Sequence, residues 1–532
     1  MTPDVAAEER QGGGGTRPSP FRQELTPVSF LERAGTVHAN RVAVIDGGAR
    51  YTWAGIRARA RRLASALRSR GLRPGDRVAF LALNSEPLLT AHFAVPMAGG
   101  VIVAINTRLS ADEIAYIVSH SGSRFLFLSP ELAPLAGSVP DPVERCLLGD
   151  EFEHVLSTGS EAPIVSWLAT EDDLCAIDYT SGTTGRPKGV MYHHRGAYLN
   201  ALGMVIEEGL TAASNYLWTL PMFHCNGWSH TWAVAAAGSA STCIPRVDPP
   251  AVWALLTEGA ITHFNAAPTV LIMLANDAAA RRLHQRVRVC TGGAPPSPTL
   301  IAQMERFNIE LVHLYGLTET YGPLTINVPP PDLSSDAETV ASYKARQGFP
   351  HVTAGLVQIV DDDLRPVPAD GRTLGEVVAR GNTLMAGYLD EPEETARAYA
   401  GGWLHTGDVG VVHPDGSVEL RDRKKDIIIS GGENISTIEV EQAVMSHPAV
   451  LEAAVIAIPD GHWGEVPKAF VTLKPGAAAT AAEIIEHVRS RIAHFKAPKH
   501  VWFGELPKTS TGKIQKYVLR EREWEPRGSR IH

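Results

Sequence analysis

Tyr179-Thr180-Ser181-Gly182-Thr183-Thr184-Gly185-Arg186-Pro187-Lys188-Gly189-Val190 is the stretch on which the chain turns. An apolar run from Leu174 to Tyr179 breaks there into three glycines, four hydroxyl side chains and a lysine, then resumes with Val190-Met191-Tyr192. The local expectation is strand, loop and return segment. Such a loop suits phosphate: glycines let backbone N–H groups close on an anion, the hydroxyls of Thr180, Ser181, Thr183 and Thr184 donate, and Lys188 brings a mobile positive charge. The common P-loop is a different string, since here the lysine precedes a glycine and the hydroxyls lie before it. A surface loop without a ligand shares this composition, so the loop alone leaves function open.

Composition sets the bounds. At 532 residues the chain exceeds the roughly 250–300 at which single cores stop growing, so several lobes are expected. A hydrophobic content of 44% with 20% charged residues is that of an ordinary globular protein. A net charge of −9 argues against a nucleic-acid partner. Cys146, Cys175, Cys225, Cys243 and Cys290 are far apart and odd in number, which excludes a disulfide framework or zinc knuckle and fits a reducing cytoplasm. Residues 87–105 are the most apolar long run, but His92, Pro96, Gly99 and Gly100 interrupt it, so helix, turn and buried strand are expected in place of a membrane span. The first twenty residues lack an apolar h-region and read as a disordered tail, and the final Ser-Arg-Ile-His is not a peroxisomal Ser-Lys-Leu.

Along the chain, helix 53–70 carries Ile56, Ala60, Leu63, Ala64 and Leu67 at helical spacing with an arginine stripe elsewhere, read as a solvated face. Pro74-Gly75-Asp76 turns into a strand from Arg77 to Leu83, Ser110 and Glu113 form a capping box for a helix to about Val118, and Arg124 to Leu128 is a strand. That alternation predicts an α/β fold with mainly parallel sheets. Further on come a helix over 195–207, strands over 261–267, 287–291 and 375–380, and an Asp415-Gly416 hairpin. Capping boxes at Ser436/Glu439 and Thr480/Glu483 open later helices, the second reaching about His494, with a strand over 450–458 between them.

Four further strings carry chemistry. Pro221-Met222-Phe223-His224-Cys225-Asn226-Gly227-Trp228 reads as an irregular loop, and Gly292-Gly293-Ala294-Pro295 ends a strand where a ligand meets backbone. His313-Leu314-Tyr315-Gly316-Leu317-Thr318-Glu319-Thr320 supplies an aromatic plane, two hydroxyls and a carboxylate of the hard-oxygen kind that magnesium takes. Arg421-Asp422-Arg423-Lys424-Lys425-Asp426 is a charge run of the kind that makes a solvated linker.

Together with Thr406-Gly407-Asp408 and Pro507-Lys508-Thr509-Ser510-Thr511-Gly512-Lys513, these strings resemble, in order and over about residues 30–520, the adenylate-forming superfamily of acyl-CoA synthetases, amino-acid adenylation domains and luciferases. Their tenor is closest to medium-chain or plant-type acyl-activating members. The resemblance implies a tail over 1–20, a large multi-lobed adenylation domain over 21–424 and a small mobile α+β domain over 425–532, hinged at Lys425. It implies that Thr180, Ser181, Gly182, Thr183, Thr184, Gly185, Lys188, Gly292, Gly293, Ala294, Pro295, Tyr315, Gly316, Thr318, Asp408 and Arg423 bind ATP or AMP, with Tyr315 on adenine and Asp408 and Arg423 on ribose. Glu319 and Thr184 would hold Mg²⁺, Gly431 and Gly432 would border coenzyme A, and Lys513, His224 and Glu319 would be catalytic. His224, Gly227, Trp228, Ala267, Gly292 and Gly316 would line the acyl pocket. With Ala266, Gly293 and Ala294 alongside, that set promises room for a medium-chain, aromatic or polycyclic acid. Relatives that activate acetate carry a tryptophan where Gly316 stands, which argues against acetate, and the missing aspartate between Phe223 and Trp232 argues against an amino acid.

The activity implied is an ATP-dependent acid–thiol ligase of fatty-acid or secondary metabolism, making an acyl-adenylate and then an acyl-CoA in the cytoplasm. Its partners would be a carboxylic acid and CoA, or a carrier protein or amine in place of CoA, with no nucleic acid and no membrane span; a homodimer is left open. A luciferase-like oxygenase would betray itself by oxygen consumption. A non-catalytic nucleotide-binding module would bind ATP without releasing AMP.

Overall fold

The structure, a computed structural model, describes residues 21–180, 186–330, 332–333, 336–423, 426–431, 433–460, 462–509 and 513–524. The expected tail over 1–20, the loop Ser181–Gly185, Lys425 and Gly432 lie outside the described residues. A large N-terminal domain of mainly parallel sheets is followed by a small C-terminal one. In the first large sheet the strands run in the order Phe349–Pro350, Gly322–Ile326, Ile309–Leu317, Val287–Thr291, His263–Ala266, Asn215–Trp218, Ala240–Cys243, Val42–Asp46 and Ala49–Thr52. The second runs Gly387–Tyr388, Lys188–His193, Leu174–Thr180, Val101–Ala104, Arg77–Leu81, Ser123–Leu128 and Glu144–Leu147. Central pairings are parallel in both; antiparallel strands close both edges of the first sheet and one edge of the second, whose other edge strand Glu144–Leu147 is parallel.

Between these sheets lies a helical layer. Helix Glu86–Met97 packs on strands of both, and nearly every side chain of it is buried. Its interruption at Gly99, with φ of +84°, turns the chain into strand Val101–Ala104, the helix–turn–strand expected of the apolar run. Helix Trp53–Ser69 begins where Thr52 accepts a hydrogen bond from the Gly55 N–H and buries Ile56, Ala60, Leu63, Ala64 and Leu67 on one face. Its arginine stripe is more than a solvated face. Arg59 makes a two-pronged pair at 2.8 Å with Glu86, whose carboxylate is otherwise cut off from water.

A third sheet, of strands Leu356–Val360, Gly375–Arg380, Leu404–Val412 and Val418–Arg423, is antiparallel throughout. Helix–strand alternation gave no sign of it. The C-terminal domain sets the long hairpin Val450–Asp460/Gly464–Leu473 on helices Thr437–Met445 and Ala481–Arg489 around its own apolar cluster. Thr480 and Glu483 make the expected capping box. That helix ends at Arg489, short of His494. Ser436 accepts from the Glu439 N–H, but the Glu439 carboxylate goes instead to Lys496 at 2.8 Å, so the second box is half made.

Candidate active site

Backbone pairing puts Thr180 opposite Lys188 at the open end of the antiparallel pair Leu174–Thr180 and Lys188–His193. The Lys188 ammonium lies 2.6 Å from the Glu394 carboxylate and 5.2 Å above the Tyr388 ring. Tyr388 donates its hydroxyl to Glu319 Oε1 at 2.8 Å. Glu319 sits on the short turn Thr318–Thr320 that ends strand Ile309–Leu317, where its own carbonyl accepts from the Met385 N–H. Lys188 and Glu319, far apart in sequence, are thus joined through Tyr388, with Glu394 as the counter-ion of Lys188. Neither linking residue stands out in sequence, because Gly387-Tyr388-Leu389-Asp390 reads only as a turn.

On the other wall, the buried Tyr315 donates to Asp408 Oδ2 at 2.7 Å. Asp408 and Arg423 face each other across paired strands, with 3.4 Å between carboxylate and guanidinium. A carboxylate beside a tyrosine plane, partly neutralised by an arginine, is a ready acceptor for vicinal hydroxyls. Gly292 is buried at the end of strand Val287–Thr291, while Gly293, with φ of +82°, and Ala294 are exposed.

Strand Val418–Arg423 also holds the C-terminal domain. The Thr437 N–H donates to Asp422 Oδ2 at 2.5 Å, the Ser436 hydroxyl to the Arg421 carbonyl, and Arg520 pairs with Asp426. The Thr509 N–H donates to the Lys513 carbonyl at 2.7 Å and so fixes the backbone of Lys513. Lys513 is exposed, and Arg423 and Asp408 of the larger domain and Asp426 and Lys516 of the smaller one act on its charge. Desolvation lowers its pKa to about 8, Arg423 adds to the fall, and Asp408 and Asp426 oppose it. His224 is held neutral, its pKa lowered to about 4 by desolvation and by the Lys513 charge. Lys513, His224, Asp408 and Arg423 therefore form one electrostatic cluster across the two domains. Gly431, with φ of +61°, belongs elsewhere: a Cβ there would meet the exposed Trp463 ring at 2.7 Å.

Around the expected acyl pocket, Gly227 and Gly292 do not open space, whereas a Cβ on the exposed Gly293 would meet nothing within 4 Å. A Cβ on Gly227 would stand 2.5 Å from the Trp218 ring, and one on Gly292 would stand 3.3 Å from the Trp228 ring and 2.8 Å from the Leu314 carbonyl oxygen. Tryptophan rings occupy the room the missing side chains provide. Trp228, Leu220, Cys225, Cys290, Val312, Leu314 and Ile326 pack as one buried apolar cluster. Ala266 points into a different cluster, with Phe264 and Val289, and Ala267 caps helix Pro268–Ala275. Gly316 is a backbone requirement, since its Cβ would fall 1.7 Å from the Gly322 carbonyl oxygen at a register shift between strands. A tryptophan cannot stand there on this backbone, so its absence says nothing about acetate.

Known proteins can now be set beside this geometry. The AMP-binding enzyme model matches residues 31–389 and the model of the AMP-binding enzyme C-terminal domain matches 439–513. The chain belongs to the AMP-binding enzyme family. It is an acyl-CoA synthetase of the AMP-forming, adenylate-forming kind. An acetate–CoA ligase of Humulus lupulus is 43% identical over 93% of this chain and 94% of its own. A 4-hydroxybutyrate–CoA ligase of Metallosphaera sedula is 42% identical, with the same coverage of both. Among solved structures, an anthranilate CoA ligase in complex with anthranoyl-AMP superposes with a TM-score of 0.84 at 27% identity, covering 95% of this chain and 98% of that one. Among the described residues no three His, Cys, Asp or Glu side chains group as a metal site, and no helix is long and apolar enough to cross a membrane.

Proposed function

We propose that the protein joins a short aliphatic carboxylic acid, of about two to four carbons, to coenzyme A at the expense of ATP. The observation that supports this choice of acid is the Trp228 ring beside Gly292, in a buried apolar cluster with Leu314, which favours a short acid. Relatives named for acetate, butyrate and 4-hydroxybutyrate agree with it. A panel from acetate to octanoate plus benzoate, scored by AMP release and thioester formation, is expected to give the highest kcat/KM at four carbons or fewer. Preference for octanoate or benzoate would overturn the choice of acid.

A carboxylate is a poor electrophile at pH 7. Its oxygen attacks the α-phosphorus of ATP and expels pyrophosphate, a transfer governed by positioning and charge stabilisation. In this reading Thr180 and Lys188 meet the leaving phosphates with the loop Ser181–Gly185. Tyr315, Asp408 and Arg423 hold the nucleoside, and Lys513 meets the charge that builds on the carboxylate and α-phosphate. His224, being neutral, borders the acid without adding charge. Mg²⁺ belongs here too. Glu319 Oε2 takes no hydrogen bond from a described residue while Oε1 is held by Tyr388, which suits a hard cation sharing phosphate oxygens; the ion would neutralise phosphate charge. The C-terminal domain, from a hinge at Lys425, then rotates Lys513 out and brings Gly431 and Gly432 to the thiol. A cytoplasmic setting and CoA as acceptor, rather than a carrier protein, complete the reading; the five buried free cysteines suit a reducing compartment, and the relatives described as peroxisomal mark the alternative.

Glu394 then acts as an internal counter-ion that ATP must displace from Lys188. The pair is about a quarter exposed, so it contributes on the order of 1 kcal/mol. Glu394→Gln is accordingly expected to lower the KM for ATP by about fivefold in pyrophosphate exchange; an unchanged value would take Lys188 away from the nucleotide.

A further inference from the structure

Cys225, Asn226, Gly227, Trp228 and Ser229 all have φ between +49° and +63°, a left-handed turn of five residues, four of them not glycine. Each such residue costs roughly 1–2 kcal/mol, so the turn stands only because its surroundings hold it. Its main holdfast is Asp178, fully buried on the strand that leads into the phosphate loop. The Asn226 N–H lies 3.4 Å from Asp178 Oδ1 and the Asn226 Nδ2 lies 2.7 Å from Oδ2, and the Cys225 N–H also bonds this carboxyl. No cation faces it. The groups around it are Cys175 on its own strand, Tyr192 on the neighbouring strand, and Cys225, Asn226 and His92 from the turn and from helix Glu86–Met97.

Two buried atoms here lack partners, Asn226 Oδ1 and His92 Nε2. His92 Nδ1 lies 2.8 Å from the Leu88 carbonyl, which only accepts, so Nδ1 carries the ring proton and Nε2 is an acceptor. The Asn226 side chain adjoins this ring. An amide's oxygen and nitrogen are close in size, and half a turn about its bond exchanges them. After that exchange Nδ2 donates to His92 Nε2, and Oδ1 meets Asp178, where it needs a donor. A proton on Asp178 supplies one. A single rotation and a single proton thus satisfy both Asn226 Oδ1 and His92 Nε2, where an ionised Asp178 leaves these two acceptors orphaned at about 1–3 kcal/mol each.

We propose that Asp178 is a positioning residue for the acid, acting as a neutral carboxylic acid that donates to Asn226, which donates to His92, so that the left-handed turn holds His224 and Trp228 in place. Burial pushes the Asp178 carboxyl up to about 8, in keeping with that state. The assignment rests on the reading that residues 224–228 border the acid.

The test compares Asp178→Asn with Asp178→Ala. An amide N–H donates to Asn226 Oδ1 as the acid O–H does, and its oxygen still accepts from the Asn226 and Cys225 N–H groups. Asp178→Ala is expected to raise the KM for the acid about tenfold, with the KM for ATP unchanged, while Asp178→Asn stays within about threefold. Asn as damaging as Ala would mean an ionised anchor and overturn the proposal, as would an unmoved acid KM in Asp178→Ala. A second measurement needs no substrate and stands whatever the acid proves to be. Between about pH 4 and 8 the native carboxyl keeps a proton that the unfolded chain has lost, so wild-type stability falls with pH across that window and the Asn variant escapes the fall. The Tm advantage of Asp178→Asn over wild type therefore grows from pH 4 to pH 8; an offset that stays flat overturns the neutral-acid assignment even if the Ala variant fails to fold.

Discussion

Lys513→Ala is expected to slow acyl-adenylate formation by about a hundred- to a thousand-fold, the usual loss when one preorganised donor is removed from a developing charge. It should leave conversion of a presynthesised acyl-adenylate to the thioester close to wild type. The reason is placement. Lys513 comes from the C-terminal domain and meets His224, Asp408 and Arg423 of the larger domain, so it serves only the step run in this arrangement. Single-turnover assays of the two half-reactions separate them, and equal losses in both would end this assignment. The ammonium is the form that stabilises the phosphate charge. With its pKa lowered to about 8, adenylation should decline on an alkaline limb near pH 8, and Lys513→Arg, which stays charged, should lack that limb at reduced overall rate.

Trp228→Gly is expected to invert the acid preference, raising kcat/KM for octanoate or benzoate relative to acetate by about a hundredfold. Each methylene that finds or loses a place is worth about 1–3 kcal/mol, and the indole fills the space of several. Glycine is the apt replacement because Trp228 has φ of +53°; removing its Cβ relieves roughly 1 kcal/mol of strain and offsets part of the cavity cost. The acid panel, repeated on the variant, is the measurement. An unaltered order would show that the wall lies elsewhere.

Sequence legibility followed the range of the interactions. Helix Trp53–Ser69, strand Gly375–Arg380, the Asp415-Gly416 hairpin and the Thr480 cap rest on periodicity and short-range hydrogen bonds, and each is where its residues say. Helix Ala481–Arg489 stops short of His494 because capping announces a start and nothing in Ser490 to Ala493 marks the stop. The antiparallel third sheet joins strands whose partners lie tens of residues apart, beyond any local pattern.

At the site, the strings around Lys188, Tyr315, Glu319, Asp408, Arg423 and Lys513 were readable as chemistry, since phosphate, ribose and metal demand particular side chains in particular company. By themselves they settled the family and the kind of reaction. The room expected for a larger acid was counted from glycines, and two of them, Gly227 and Gly292, have tryptophan rings beside them in the fold. Tyr388, Glu394 and Asp178 were silent for a related reason: their roles lie in what they touch across distant strands. A lone carboxylate inside an apolar strand was the one available sign of Asp178, since burying it unpaired is costly. Residue types determined which reaction the protein runs; only tertiary packing, which sets who fills each void and who meets each buried carboxyl, placed tryptophan rings beside Gly227 and Gly292 and Asn226 on Asp178.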